Sequence, residues 1–440
     1  MTRKSAFNLE TCTRPNILSL QPYRCARDDY QDDGTNILLD ANENAYGPGL
    51  DLDERGHLKS QNGENGAAEV NADIDLNGLH RYPDPHQEPL KSLLCKLRTT
   101  HAHTTKTLTP ANLFVGVGSD EAIDALLRCF CVPGHDSILT CPPTYGMYAV
   151  SAVVNDVSIK PVPLLVDNNF EPDVATITST LSSNPSIKMV YLCSPGNPTG
   201  ALIPKAAVEA ILAHPTWNGV VVVDEAYIDF ASSPSASLAE LVTEYPNLVV
   251  MQTLSKAFGL AGIRLGAAFT SPEIARLLNS LKAPYNVSSP TSQLAMAALS
   301  PQNLAVSRRK IELLLKQRDR LVQELPKIPG IGRFRGGFEA NFLLVEMLSA
   351  PKENGGKPSN EVALKVYERL AELRHMVVRF RGKELGCTGC LRVTVGTENE
   401  VTKFLAEIKS VLEDIYDEGE SKGVRKDEEK KEKDANGVVA

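Results

Sequence analysis

Seven short apolar runs, at 112–117, 137–141, 157–162, 187–193, 220–225, 248–253 and 265–269, punctuate the chain up to residue 270. Several of them, Val220–Val223 among them, are continuously apolar rather than alternating. A strand of that kind is buried on both faces, which confines it to a sheet covered by helices. Amphipathic stretches between and after the runs predict helices at 120–131, 144–153, 204–213, 272–282 and 290–299. The order strand–helix–strand predicts a mostly parallel, seven-stranded α/β sheet with right-handed crossovers. The pattern changes after residue 300. A long charged helix is predicted over 303–325. Strand-like segments at 341–345, 376–380 and 390–395 then alternate with helices at 361–375 and 399–416, as in a second, smaller α/β domain.

With 440 residues, 42% of them hydrophobic and 23% charged, the chain is long enough for two domains and a large core. The expected division is an N-terminal arm over 1–79, a large domain over 80–300, a small one over 301–416 and a tail over 417–440. Residues 51–78 are polar and rich in Gly, Asn and Asp, as in an extended surface excursion. The tail has no apolar face and reads as disordered or as a fraying helix tip.

A net charge of −8 gives no electrostatic case for nucleic acid or an acidic membrane surface. No apolar run approaches the ~20 residues of a membrane span. The early basic residues have no apolar core behind them, so no secretory signal is read there. The acidic stretch Arg27–Asp33 argues against mitochondrial import. Nine cysteines, an odd number in mostly apolar surroundings, favour reduced thiols in the cytoplasm. Cys387 and Cys390 form a lone CxxC with no second ligand pair, and His101 and His103 lie in a polar loop. No metal is expected.

Five signals fall at the predicted C-terminal ends of strands, where open α/β sheets gather ligands. Gly116-Val117-Gly118-Ser119-Asp120 closes one strand and opens a helix, so free N–H groups face outward; an ordinary cap by Ser119 is the competing reading. Pro142-Pro143-Thr144-Tyr145 leaves an aromatic ring at a turn, free to stack on a planar group or simply to pack. Ser194-Pro195-Gly196-Asn197-Pro198 holds Asn197 between two prolines, its amide able to donate to a phenolate-like oxygen. Asp224 ends a buried strand and needs a positive partner, such as a protonated pyridine nitrogen. Tyr227 follows it by three residues, within reach of the same ring's oxygen.

The fifth signal is Thr253-Leu254-Ser255-Lys256-Ala257-Phe258-Gly259, followed by Gly262, Arg264 and Gly266. One amine lies beside two hydroxyls and a guanidinium, with glycines crowding the turn. That set suits a Schiff-base lysine with a phosphate held close by, the needs of pyridoxal phosphate (PLP). From Asn197 to Asp224 is 27 residues and from there to Lys256 is 32, one strand–helix unit each. Adjacent strands would therefore present all three in one crevice.

These motifs, with Leu39–Pro48, Arg81–Pro85 and Leu391–Thr397, resemble the fold-type I PLP-dependent aminotransferases of class I and II over residues 14–416. The resemblance implies Lys256 as the Schiff-base lysine, Asp224 on the ring nitrogen, Asn197 and Tyr227 on the ring oxygen and Tyr145 stacked on the ring. It implies a phosphate held by Gly118, Ser119, Asp120, Thr253, Ser255 and Arg264, with Tyr82 reaching it from the other subunit of a homodimer. Tyr46, Arg379 and Arg392 would contact substrate. The branch it most resembles acts on L-histidinol phosphate and 2-oxoglutarate. It yields imidazole-acetol phosphate and L-glutamate by ping-pong kinetics in L-histidine biosynthesis. Aromatic amino acid aminotransferases and phospho-amino-acid decarboxylases share the fold. Gly196 departs from the asparagine of many relatives, and the 51–78 excursion lies between Tyr46 and Tyr82.

Overall fold

The computed structural model describes residues 15–19, 35–52 and 76–436. Residues 53–75 of the polar excursion, Cys12, Cys25 and residues 437–440 lie outside the described residues. The chain divides into two compact units. The first holds the helix Pro15–Leu18, Glu43–Leu315 and Gly336–Asn341. The second holds residues 35–42, Lys316–Arg335 and 342–436. The division falls after Leu315, inside the helix Pro301–Glu324.

The two-residue strand β1 (Ile37–Leu38) lies in the second unit. The first unit is built on seven strands: β2 (Leu113–Val117), β3 (Ser137–Thr140), β4 (Ser158–Pro161), β5 (Ile187–Cys193), β6 (Val220–Asp224), β7 (Leu248–Thr253) and β8 (Leu265–Thr270). Their order is β2-β8-β7-β6-β5-β3-β4. Neighbours from β7 through β4 run parallel, while β8 is antiparallel to both β7 and β2. The reversal has a simple cause. Only residues 254–264 connect β7 to β8, too short for a helical crossover, so the chain turns back as a hairpin. Lys256 lies in that return.

Val221, Val222 and Val223 of β6 and Leu248, Val249, Val250 and Met251 of β7 are fully buried, as continuous apolar runs require. On one face Val222, Val249 and Met251 pack with Phe114, Ile123, Leu126, Ile138, Met189 and Tyr191. The helices Glu88–Arg98 and Val174–Ser183 of this unit were not anticipated. Glu88–Arg98 buries only Leu90, Lys91, Leu94 and Cys95. Val174–Ser183 is rich in Ser and Thr and starts on the Asp173 side chain, which accepts from Thr176 N at 3.0 Å.

The second unit has an antiparallel four-stranded sheet of β9 (Ile331–Arg335), β10 (Phe342–Met347), β12 (Arg379–Phe380) and β13 (Cys390–Thr394), in the order β12-β13-β10-β9. The predicted strand 376–380 is split. β11 (Met376–Val377) leaves to pair in parallel with β1, and only Arg379–Phe380 joins the sheet. Strand β9 was not anticipated; it is an edge strand whose two arginines and glycine mask its apolar residues. The helix Asn360–Arg374 belongs to this unit, as does Glu398–Asn436. The latter continues to Asn436, through most of the 417–440 segment.

Candidate active site

The register of the parallel strands sets the site. Cys193 at the end of β5 is level with Asp224 at the end of β6, and Asp224 is level with Met251 of β7. The ladder continues one step further, Ser194 N donating to Asp224 O at 2.9 Å and Glu225 N to Met251 O at 2.8 Å. The loops bearing Asn197, Asp224 and Lys256 therefore leave the sheet side by side, as the strand spacing predicts. The Asn197 loop is closed on itself. Gly196 N donates to Ala201 O, Gly200 N to Gly196 O, and Ile203 N to the Ser194 hydroxyl. A Cβ on Gly196 would lie 2.3 Å from Thr199 Oγ1, so an asparagine there would displace the Thr199 side chain.

Asp224 is 2% exposed. Tyr148 O–H donates to its Oδ2 at 2.7 Å and Ala226 N to its Oδ1 at 3.2 Å. Burial pushes its carboxyl up to about 6, against the lowering effect of those two donors and of Lys256 and together with the repulsion of Asp120. Tyr227 is buried close by in sequence, in the turn that follows the strand. Tyr148 was missed by sequence reasoning. Its one signal is that it follows Tyr145 by three residues, about one helical turn.

An anion cradle lies at the start of the helix Gly118–Phe130. The helix is capped by Val117, without a side-chain bond, so Ser119 is a first-turn residue and not the cap. Gly118 has φ +70°, and a Cβ there would lie 2.7 Å from Arg264 Nη2. A Cβ on Gly266 would lie 2.3 Å from Ser119 N. Of the three glycines near Lys256, Gly259 and Gly266 are crowded but Gly262 has open space around it. Arg264 stands in the left-handed region and places Nη2 3.4 Å from Asp120 Oδ2. Asp120 Oδ1 accepts from Tyr145 O–H at 3.2 Å. Thr253 Oγ1 sits 2.9 Å from Ser255 Oγ. A helix N-terminus, two hydroxyls and a half-exposed guanidinium, kept clear by glycines, form a donor set suited to a phosphate. A buried carboxylate and an amine one strand apart fit the ring and carbonyl of PLP.

Comparison with known proteins agrees with this geometry. The family "Aminotransferase class I and II" matches residues 37–408. A histidinol-phosphate aminotransferase from Schizosaccharomyces pombe is 50% identical over 410 residues, 93% of this chain and 99% of the relative. One from Candida maltosa is 48% identical over 413 residues, again 93% and 99%. The chain belongs to the class I and II aminotransferases. The crystal structure of histidinol-phosphate aminotransferase from Sinorhizobium meliloti, in complex with pyridoxal-5'-phosphate, superposes with a TM-score of 0.75 at 21% identity, covering 93% of this chain and 99% of that one. At that identity the likeness concerns the fold.

Elsewhere in this aminotransferase, Tyr46 lies in a segment tied to the Lys256 loop. Asn44 Nδ2 donates to Ala257 O at 3.0 Å, and Gly49 N to Phe258 O at 2.8 Å. Tyr82 stands apart: it is 81% exposed, and its ring stacks on Tyr285 at 4.6 Å. Arg379 and Arg392 are in the second unit, directly opposite one another on β12 and β13. Arg392 is buried, donates to Asp40 O, and holds its Cζ 5.4 Å from the Phe342 ring centre.

Several other residues are placed as well. Glu225, unremarked in the sequence beyond its place beside Asp224, accepts from Leu238 N and Ser237 Oγ at 2.6 Å each and from Gln252 Nε2 at 2.7 Å. Gln252 in turn accepts from Arg98, which forks onto Asp229 with two 2.8 Å bonds. Cys387 and Cys390 are fully buried around a turn in which Cys390 N donates to Cys387 O. Burial pushes the Cys387 thiol up to about 12. The backbone nitrogens of His101 and His103 both donate to the buried Glu240 carboxylate. Among the described residues no cluster of His, Cys, Asp and Glu could hold a metal ion, and no helix is long and apolar enough to cross a membrane.

Proposed function

We propose that this aminotransferase uses PLP to interconvert L-histidinol phosphate plus 2-oxoglutarate and imidazole-acetol phosphate plus L-glutamate, in L-histidine biosynthesis. The observation that carries the reading is the buried Asp224 carboxylate one strand away from the loop of Lys256, with electrostatic influence between them. The substrate pair is supported by the histidinol-phosphate aminotransferases that share about half of their residues with this chain along nearly its whole length.

When bound, PLP supplies a carbonyl that takes the amino group and a cationic ring that accepts the charge left as the α-proton departs. Lys256 Nζ holds the cofactor at rest. Once freed, it would take the donor's α-proton as general base and, as general acid, pass it to the former carbonyl carbon of the cofactor. Asp224 holds the ring nitrogen in its positive form. Asn197 and Tyr227 would bind the ring oxygen, with Tyr145 stacked on the ring. The amides of Ser119 and Asp120, next to Gly118, act with Thr253, Ser255 and Arg264 on the phosphate. Arg379 and Arg392, adjacent across two strands, take the substrate phosphate or the carboxylate of glutamate. A guanidinium fork binds either anion, so one clamp serves both half-reactions. Tyr46 borders the substrate. The exposed Tyr82 reaches the phosphate of a second copy in a homodimer. The described cysteines are free thiols, in keeping with a cytoplasmic enzyme.

Product analysis tests this reading. Protein supplied with L-histidinol phosphate and 2-oxoglutarate is expected to release one L-glutamate per imidazole-acetol phosphate, with no CO₂. No turnover of this pair, with CO₂ released instead from a phosphorylated amino acid that carries an α-carboxylate, would indicate a decarboxylase of the same fold. Reaction with phenylalanine or tyrosine but not with L-histidinol phosphate would indicate an aromatic aminotransferase.

A further inference from the structure

We infer that Tyr148 is a positioning residue for this chemistry: its hydroxyl fixes the orientation and the charge of the Asp224 carboxylate. The inference rests on the reading of Asp224 as the partner of a cationic ring nitrogen. Asp224 has two hydrogen-bond donors, Ala226 N on Oδ1 and Tyr148 O–H on Oδ2. The backbone donor is present whatever the sequence. The 2.7 Å phenol bond depends on a single side chain.

That phenol has little freedom to move. Tyr148 is 1% exposed. Its ring stacks on Tyr191, centres 4.7 Å apart and planes 24° apart, and meets Tyr145 edge-on at 5.6 Å. Tyr191 is buried and its own hydroxyl has no hydrogen-bond partner among the described residues. Its contribution is therefore that of an aromatic wall, which a phenylalanine would supply as well. The two tyrosines make an internal comparison: one hydroxyl donates to Asp224 and the other does not.

A donor to the charged form favours that form. Without Tyr148 O–H, the buried carboxylate keeps one backbone donor and is more readily protonated, and a protonated Asp224 does not attract a cation. The titratable groups around it are Tyr148, Tyr191 and Cys193 on β5, Asp120 on the helix Gly118–Phe130, and Lys256 on the β7–β8 loop. Burial pushes Tyr148, Tyr191 and Cys193 up, so all three stay protonated through neutral pH. Asp224, at about 6, changes charge there, as does Glu225 next to it in sequence, at about 7.

The test is the apparent dissociation constant of PLP, titrated into cofactor-free full-length protein between about pH 5 and 9. For the wild type, affinity is expected to weaken as pH falls through about 6, because the proton competes with the cationic ring for Asp224. Tyr148→Phe is expected to raise the dissociation constant at neutral pH by about tenfold or more and to move the pH midpoint upward. Tyr191→Phe is expected to change neither. A third protein with 3-fluorotyrosine at position 148 keeps the ring and donates more strongly, so its midpoint should move down. Wild-type affinity and midpoint in Tyr148→Phe, or an unmoved midpoint with the fluorinated side chain, would overturn the inference. A wild-type protein that binds no PLP would instead overturn the reading beneath it.

Discussion

A Cβ on Gly266 would stand 2.3 Å from the backbone nitrogen of Ser119 and 2.4 Å from the carbonyl carbon of Gly118. Gly266 lies opposite Gly116 on one side and Thr253 on the other. The first turn of the helix Gly118–Phe130 thus sits directly on strand β8, beside the hydroxyls that precede Lys256. Gly266→Ala must push backbone against backbone, and moving the helix start disturbs every amide aimed at the phosphate. The variant is expected to bind PLP at least about tenfold more weakly and to cost roughly 1–3 kcal/mol of stability. Gly262→Ala, with nothing within 4 Å of the new carbon, serves as the control and is expected to bind as the wild type does. Titration of cofactor-free proteins measures both, and equal affinities in the two variants would contradict the cradle.

Asp224 and Glu225 are adjacent carboxylates, both buried and both pushed up, to about 6 and about 7, by burial. Glu225 faces the Ser237–Gln252–Arg98 network. Its folded value lies above the ordinary 4.5, so the folded chain holds that proton more tightly than the unfolded one. Its contribution is full below 4.5 and is lost as pH rises through about 7, a swing of about 3 kcal/mol. Cofactor-free protein is therefore expected to melt lower at pH 8 than at pH 5. In Glu225→Gln that difference should shrink, because one of the two titrating groups is gone. Melting curves at the two pH values decide the matter, and a difference as large in the variant as in the wild type would show that Glu225 does not titrate there.

Arg379 and Arg392 face each other across β12 and β13, an arrangement that like charges disfavour unless an anion lies between or near them. Arg392→Lys keeps the charge but loses the planar fork. It is expected to raise KM about tenfold for L-histidinol phosphate and for 2-oxoglutarate alike. Steady-state kinetics with each substrate in turn check this; a change confined to one of them would rule out a shared clamp.

Much of the site can be read from the sequence because strands and their exit loops are local. The strands ending at Cys193, Asp224 and Thr253 announce themselves by apolar runs, and the prolines, glycines and hydroxyls behind them mark where each loop leaves. Tyr148 was not legible, because its partner is 76 residues away and only the folded sheet brings them together. The Arg98–Asp229 fork spans 131 residues and was hidden for the same reason. In the second unit, β9 was missed because arginines alternate with its apolar residues. Residues 376–380 look like one strand because nothing in Met376–Phe380 signals that the chain leaves one sheet for another at Val378.

The most direct measurement is a single half-reaction. L-histidinol phosphate is added to the PLP-loaded protein without any keto acid, and the visible absorbance of the bound cofactor is followed. The band is expected to disappear and to return when 2-oxoglutarate is added, as Lys256 and Asp224 in these positions require for this substrate pair. A visible band that ignores L-histidinol phosphate would contradict the assigned substrate, and a protein that develops no such band with PLP would contradict the role of Lys256.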